Sequence, residues 1–184
     1  MVEVIVPEPI QKSEKADSFK IPEFYIKYRG TFDFQKLYNY IMSFLSDQKF
    51  VVYETKHKYK PPELELDIIG RRRVSGYLRW GIDIHIHMFF SERIPKMVNG
   101  KPTELVTARL KIDLKGEVET GYANYFKENP WDDTSIGRKL KVIYNKIFNK
   151  DLNFKQADLL YYVIYDLQTG IKDKINSSVK GSAY

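Results

Sequence analysis

The segment GIDIHIHMFF, residues 81–90, places side chains that could bind a metal on one face of a predicted strand. Asp83, His85 and His87 alternate with apolar residues, so all three project to the same side of an extended chain. A zinc site needs three or four such ligands converging on one point. The third histidine, His57, is predicted to lie on the opposite, core-facing side of its strand. The same alternation is typical of a strand with one wet face, so we predict no metal site and no cofactor.

The sequence lacks the motifs that most often mark an enzyme. It contains no nucleophile elbow, no phosphate-binding loop and no dinucleotide fingerprint. It has no cysteine, which excludes a disulfide framework, a thiolate metal site and a cysteine nucleophile. The acidic residues of the segment ELELD, from Glu63 to Asp67, alternate with leucines and are therefore predicted to be a solvated row. We assign no catalytic residue and favour a binding or assembly protein over an enzyme.

Composition limits the remaining classes of protein. The 184 residues fit one domain with tails, and the formal net charge of +6 favours an anionic partner. No apolar run is long enough for a transmembrane helix. The N-terminal residues lack the basic start and apolar stretch of a signal peptide. Together with the absence of cysteine, these features predict a cytoplasmic protein.

Basic residues gather on the predicted solvent face of a sheet and at one of its ends. Three consecutive arginines lie in GRRRVSG, which is predicted to be a turn between strands. The predicted polyanion-binding residues are Lys56, Lys58, Lys60, Arg71, Arg72, Arg73, Arg79, Arg109 and Lys111. Lys27 and Arg29 share this face, and Tyr25 lies among them. Basic residues with interleaved tyrosine suit phosphate contact and base stacking, although the acidic residues nearby also fit a solvated surface of mixed charge.

The hydrophobic pattern predicts the elements that carry these residues. Long alternation over Tyr77–Phe90 and Val106–Glu119 indicates antiparallel strands with one buried face. Asp33 caps a helix whose apolar residues form a single stripe. Two more helices are predicted, starting near Asp133 and after Asn153. The result is an α+β fold with two layers, in which three helices cover one face of a curved antiparallel sheet of about five strands.

Two resemblances accompany this pattern. The segments YRGTFDFQKLYNYI, VVYETKHKYK and WGIDIHIHMFF resemble a group of small uncharacterised archaeal proteins over residues 24–175, and this resemblance implies no function. The order of elements resembles the helix-grip arrangement of START-like and plant-allergen-like lipid-binding proteins. That second resemblance implies a carrier of an apolar ligand held between the sheet and the helices.

The N-terminal segment suggests a further role. Residues 1–21 are predicted to be an extended arm and a charged linker, residues 22–176 the α+β domain, and residues 177–184 a flexible tail. Val2, Val4 and Val6 alternate in the arm, which fits either a frayed end or a strand that pairs with another copy of the protein. Three hypotheses therefore stand: binding to nucleic acid or a ribonucleoprotein, carriage of an apolar ligand, and self-assembly through the arm.

Overall fold

A computed structural model describes residues 17–75, 78–98, 101–120 and 135–180. The arm residues Val2, Val4 and Val6 lie outside these ranges. The strands are β1 (Asp17–Lys20), β2 (Phe24–Phe32), β3 (Val51–Lys60), β4 (Glu63–Arg73), β5 (Leu78–Val98) and β6 (Lys101–Thr120). The helices are α1 (Phe34–Asp47) and α2 (Ser135–Lys180).

The six strands form one antiparallel sheet in the order β1-β6-β5-β4-β3. Strand β2 also pairs with β6. It pairs with residues 106–114 of that strand, whereas β1 pairs with residues 117–120, nearer the C-terminal end. The predicted α+β class is confirmed, with six strands in the described residues instead of about five. The additional strand, β1, lies in the segment predicted as a charged linker. Its Phe19 pairs with Val118 and packs edge-on against Phe154, 5.5 Å away, so this short polar strand has an apolar anchor.

In the described part of the chain two helices cover the sheet, where three were predicted. Helix α1 begins after Asp33, whose carboxylate accepts a hydrogen bond from the Lys36 amide at 2.8 Å. The predicted second and third helices are one continuous helix, α2, of 46 residues. No proline interrupts the chain from Ser135 to Lys180, and Asn153 lies inside the helix rather than at a start. Helix α2 also extends into the segment predicted as a tail.

The core lies between the helices and one face of the sheet. Alternate residues of β5, including Ile82, Ile84 and Ile86, are almost completely buried, as the alternation predicts. Helix α2 packs directly on the backbone of β6, because a Cβ built on Gly116 would lie 2.4 Å from the Ile164 side chain. We call the face that packs against the helices the inner face and the opposite one the outer face. No described helix covers the outer face, which carries the alternating polar residues.

Candidate functional site

Asp83, His85 and His87, the candidate metal ligands, lie together on the outer face. The ring of His85 is 2.5 Å from the carboxylate of Asp67 on the neighbouring strand, whereas His87 lies opposite Glu65. His57 is on the inner face, opposite a buried leucine of β4, although its side chain is exposed. Within the described residues, no three histidine, aspartate or glutamate side chains are placed to hold one metal ion.

The three consecutive arginines do not form a turn. Arg71, Arg72 and Arg73 are the last residues of β4 and pair with Gly81, Trp80 and Arg79 of β5. This corrects the sequence prediction. Within the strand, the Arg71 guanidinium contacts Asp83 and Glu117, and the Arg72 guanidinium lies over the Trp80 ring.

Arg71 forms the centre of an ion-pair cluster. Its guanidinium donates to Asp83 at 2.6 Å and lies 3.5 Å from Glu117, and only 12% of the side chain is exposed. In the sheet register Arg71, Gly81 and Glu117 lie side by side on β4, β5 and β6. Because glycine has no side chain, Arg71 reaches across β5 to Glu117. The guanidinium covers Gly81, with one nitrogen 3.1 Å from the position that a Cβ would take.

The acidic partner in this cluster has a shifted pKa. Burial raises the pKa of the Glu117 carboxyl above its ordinary value, and a hydrogen bond and charge repulsion with Glu119 act in the same direction. Asp83 also raises the pKa, whereas the Arg71 guanidinium opposes the shift. The arginine is thus engaged by several carboxylates of its own chain.

The other arginines at this end of the sheet are also engaged. Arg79 donates to buried Glu119 through Nε at 2.7 Å and through a second nitrogen. Arg72 lies on the inner face, with its guanidinium 5.0 Å from the centre of the Trp80 ring. Arg73 is exposed on the outer face beside Arg79. The structure therefore separates these four residues between two faces.

The predicted lysines of β3 form a third group. Lys56 and Lys58 both approach the carboxylate of Glu65 on β4, at 2.6 Å and 3.6 Å. The hydrogen bond from Lys56 lowers the pKa of Glu65. Lys60 pairs with Glu63 at the end of the strand. Each lysine on this strand thus lies beside an acidic residue of β4.

The last two predicted residues, Arg109 and Lys111, belong to a different arrangement. In the antiparallel pair of β2 and β6, Arg29 lies directly opposite Arg109 and Lys27 lies directly opposite Lys111. All four side chains are exposed on the outer face. Lys111 donates to Asp113 at 2.6 Å. Among the described residues, neither Arg29 nor Arg109 forms an ion pair.

Aromatic side chains flank these like-charge pairs. Phe89 of β5 lies opposite Arg109 and is 44% exposed, and Tyr25 of β2 is 65% exposed. The Lys27 ammonium lies 5.8 Å from the centre of the Tyr25 ring. A groove of about 570 Å³ runs between the strands here. We call it the basic groove, and it is lined by Lys27, Arg29, His87, Phe89, Arg109 and Lys111.

The groove is held in place from the inner face. Ile26, between the outward-facing Tyr25 and Lys27, is buried against the core. The amide of Gln168 on α2 donates to the main-chain carbonyl of Tyr25 at 3.3 Å. Helix α2 therefore contacts β2 directly behind the groove, and the β2–β6 pairing sets the spacing of the cations.

Sequence reasoning placed Lys27 and Arg29 on the correct face but left them out of the predicted site. It also missed Phe89 and His87 as groove residues. The alternation of residues 81–90 gives their face, because Phe89 has the same parity as His87. Which residue of β6 each of them opposes depends on the register, and a single sequence carries no comparable signal for that.

The comparisons with known proteins assign no family. No protein-family model matches the chain, and no curated protein is significantly similar to it. Within the described residues, no helix combines the length and the apolar character needed to cross a membrane.

Proposed function

We propose that this protein binds single-stranded nucleic acid, alone or within a ribonucleoprotein, through the basic groove. The observation that carries the proposal is the pair of like-charge contacts across β2 and β6. Arg29 faces Arg109 and Lys27 faces Lys111, where opposite charges would be the stabilising choice. Phosphate groups bound between these side chains would relieve the repulsion.

The aromatic residues favour nucleic acid over other polyanions. Base stacking on aromatic side chains contributes about 1–3 kcal/mol per base and tolerates any sequence. Phe89 and Tyr25 are exposed beside the cations, which is the combination that single-strand binding surfaces use. An acidic peptide or a sulfated sugar would use the cations and leave these rings without a role.

The predicted apolar-ligand site between sheet and helices finds less support beneath α2. At Gly116 the Ile164 side chain of α2 occupies the space next to the sheet, and at Gly170 the Tyr40 ring of α1 occupies the space next to α2. A ligand at either place would have to displace a core side chain. The outer face requires no such rearrangement.

The test is binding of short labelled RNA and DNA of mixed sequence, followed by fluorescence anisotropy over a salt series. Single-strand binding should weaken with salt by a slope of about −0.7 for each phosphate contact. The double variant Arg29→Gln/Arg109→Gln should flatten that slope by about 1.4 units, the value for two contacts. It should weaken binding of all sequences equally, because phosphate contacts do not read bases.

Two controls keep the result specific. Lys155→Gln/Lys172→Gln removes the same charge from exposed positions on α2, and it should leave the slope unchanged. Phe89→Ala should weaken RNA binding but not heparin binding, since only bases stack on the ring. Wild-type affinity no tighter than about 10⁻⁴ M at low salt would reject the proposal, as that is weaker than ordinary non-specific binding. Equal effects of the two double variants would show that net charge alone is responsible.

A further inference from the structure

A second groove lies on the inner face, at the end of the sheet where α1 begins. It has a volume of about 720 Å³ and is bounded by α1, by the adjoining ends of β3 and β4, and by residues within β5 and β6. This volume is within the range of small-molecule sites. We call it the inner groove, and the residues that matter for its chemistry are Lys36, His57, Tyr59, Leu64, Phe90 and Arg93.

The wall of the inner groove combines two aromatic rings with a guanidinium group. Tyr59 and Phe90 meet edge to face with their ring centres 6.0 Å apart. The Arg93 guanidinium lies 5.2 Å from one ring centre and 5.1 Å from the other, and it donates a hydrogen bond to the Tyr59 hydroxyl. The rings and this hydrogen bond hold the positive charge at the mouth of the groove.

The rest of the lining is apolar where it is buried and basic where it is exposed. Leu64 and Val106, which are buried, contribute apolar surface. Lys36 and His57 add basic groups at the rim. Among the described residues of the lining, the carboxylate of Asp33 already caps α1 by accepting from the Lys36 amide. The first turn of α1 adds the positive end of a helix dipole.

We infer that the inner groove binds a small amphipathic organic anion, meaning a flat or apolar body that carries one carboxylate, sulfonate or phosphate group. The body would lie against Tyr59, Phe90 and Leu64, and the anionic group would meet Arg93 and Lys36. Neither half of such a ligand would be satisfied alone, because the buried Leu64 and Val106 offer an anionic group no partner and the exposed Lys36 offers an apolar body little contact area. This site is separate from the basic groove and does not depend on nucleic-acid binding.

The test is an NMR titration of the isotope-labelled full-length protein with three probes. 1-Naphthalenesulfonate has both the ring and the charge, 2-naphthalenemethanol has only the ring, and methanesulfonate has only the charge. We expect saturable binding of 1-naphthalenesulfonate, with shifts at the first turn of α1 and at Tyr59. Each partial probe should bind at least about tenfold more weakly, because 2-naphthalenemethanol loses the charge-assisted contact and methanesulfonate loses the apolar contact with the rings.

Variants locate the binding. Arg93→Gln should weaken 1-naphthalenesulfonate binding about tenfold, and Lys36→Gln, an exposed change on α1, should weaken it as well. The variant Arg29→Gln/Arg109→Gln should bind the probe as the wild type does, which separates this site from the basic groove. The inference fails if no probe saturates, if the neutral probe binds equally well, or if neither Arg93→Gln nor Lys36→Gln changes the affinity. If Arg93→Gln does not fold, Lys36→Gln decides alone.

Discussion

The two ends of the outer face contain the same kinds of residue in opposite arrangements. At one end Arg71 and Arg79 are partly buried and bound by Asp83, Glu117 and Glu119. At the other end, in the basic groove, cations face cations across β2 and β6. The positions of Glu119 and Arg109 are separated by ten residues of β6, or about 33 Å. An arginine count alone would treat the two ends as one surface.

The difference shows which cations are available to a partner. An arginine that is already paired must break its internal contacts before it can bind a phosphate, and those contacts also stabilise the sheet. The opposed arginines of the basic groove, Arg29 and Arg109, have the reverse property, since binding an anion removes a repulsion. The paired end therefore serves the fold, and we assign the proposed interaction with nucleic acid to the basic groove.

The largest effect is expected at the paired end. Arg71→Gln removes the cation between Asp83 and Glu117 and leaves two carboxylates facing each other in a partly buried place. We expect the free energy of unfolding to fall by about 1–3 kcal/mol, the range for leaving buried polar groups unsatisfied. Urea unfolding of the purified variant measures this.

The matched control for that change is Arg29→Gln, the same substitution on an exposed strand of the same sheet. It removes the repulsion between Arg29 and Arg109 rather than an attraction, so the variant should be as stable as the wild type or more stable by up to about 1 kcal/mol. If Arg71→Gln were equally harmless, or if it weakened RNA binding more than Arg29→Gln does, the assignment of the two ends would be reversed.

Local patterns predicted the faces of the strands, and non-local pairing determined the site. Alternation placed Ile84 in the core and His85 outside, and both placements are confirmed. The ion pair between Arg71 and Glu117 joins residues on β4 and β6 across a glycine of β5, so no local pattern announces it. The opposition of Arg29 and Arg109 likewise depends on the register of two strands that are far apart in sequence.

The boundaries of the C-terminal helix could not be predicted from a local pattern either. Asn153 with Gln156 three residues later is a pattern that can begin a helix, and it predicted a break that is absent. In α2 the chain continues through this point, because no proline prevents it and the buried stripe through Leu160 and Ile164 continues towards the C-terminus. A capping pattern favours a helix start, and it does not end a helix that already runs through it.

A second prediction uses pH to test the paired end. The pKa of Glu117 is raised in the folded protein, so the folded state binds this proton more tightly than the unfolded chain does. Its contribution to stability is therefore fully present below the pKa of an unfolded glutamate, about 4.3, and is lost as the pH rises through the raised value. Glu117→Gln has no proton to lose, so its stability relative to wild type should increase over that interval. Thermal unfolding of both proteins from pH 4 to pH 8 measures the difference.

A difference in stability that is flat or falls with pH would contradict the assignment. The variant Glu23→Gln, at an exposed position, controls for the loss of one negative charge.

The smallest effect, and the one that tests the basic groove directly, concerns Arg109→Gln. This change removes the repulsion between Arg109 and Arg29, so without nucleic acid the variant should be more stable than wild type by about 0.2–1 kcal/mol. With saturating single-stranded RNA the order should reverse, because a ligand that binds only the folded state stabilises it in proportion to its affinity, and the wild type binds more tightly. Thermal unfolding of both proteins, each with and without RNA, gives the four values needed.

A variant that is less stable in both conditions would mean that Arg109 supports the sheet rather than a ligand. An unchanged order on adding RNA would remove the physical basis for a binding site at these opposed cations.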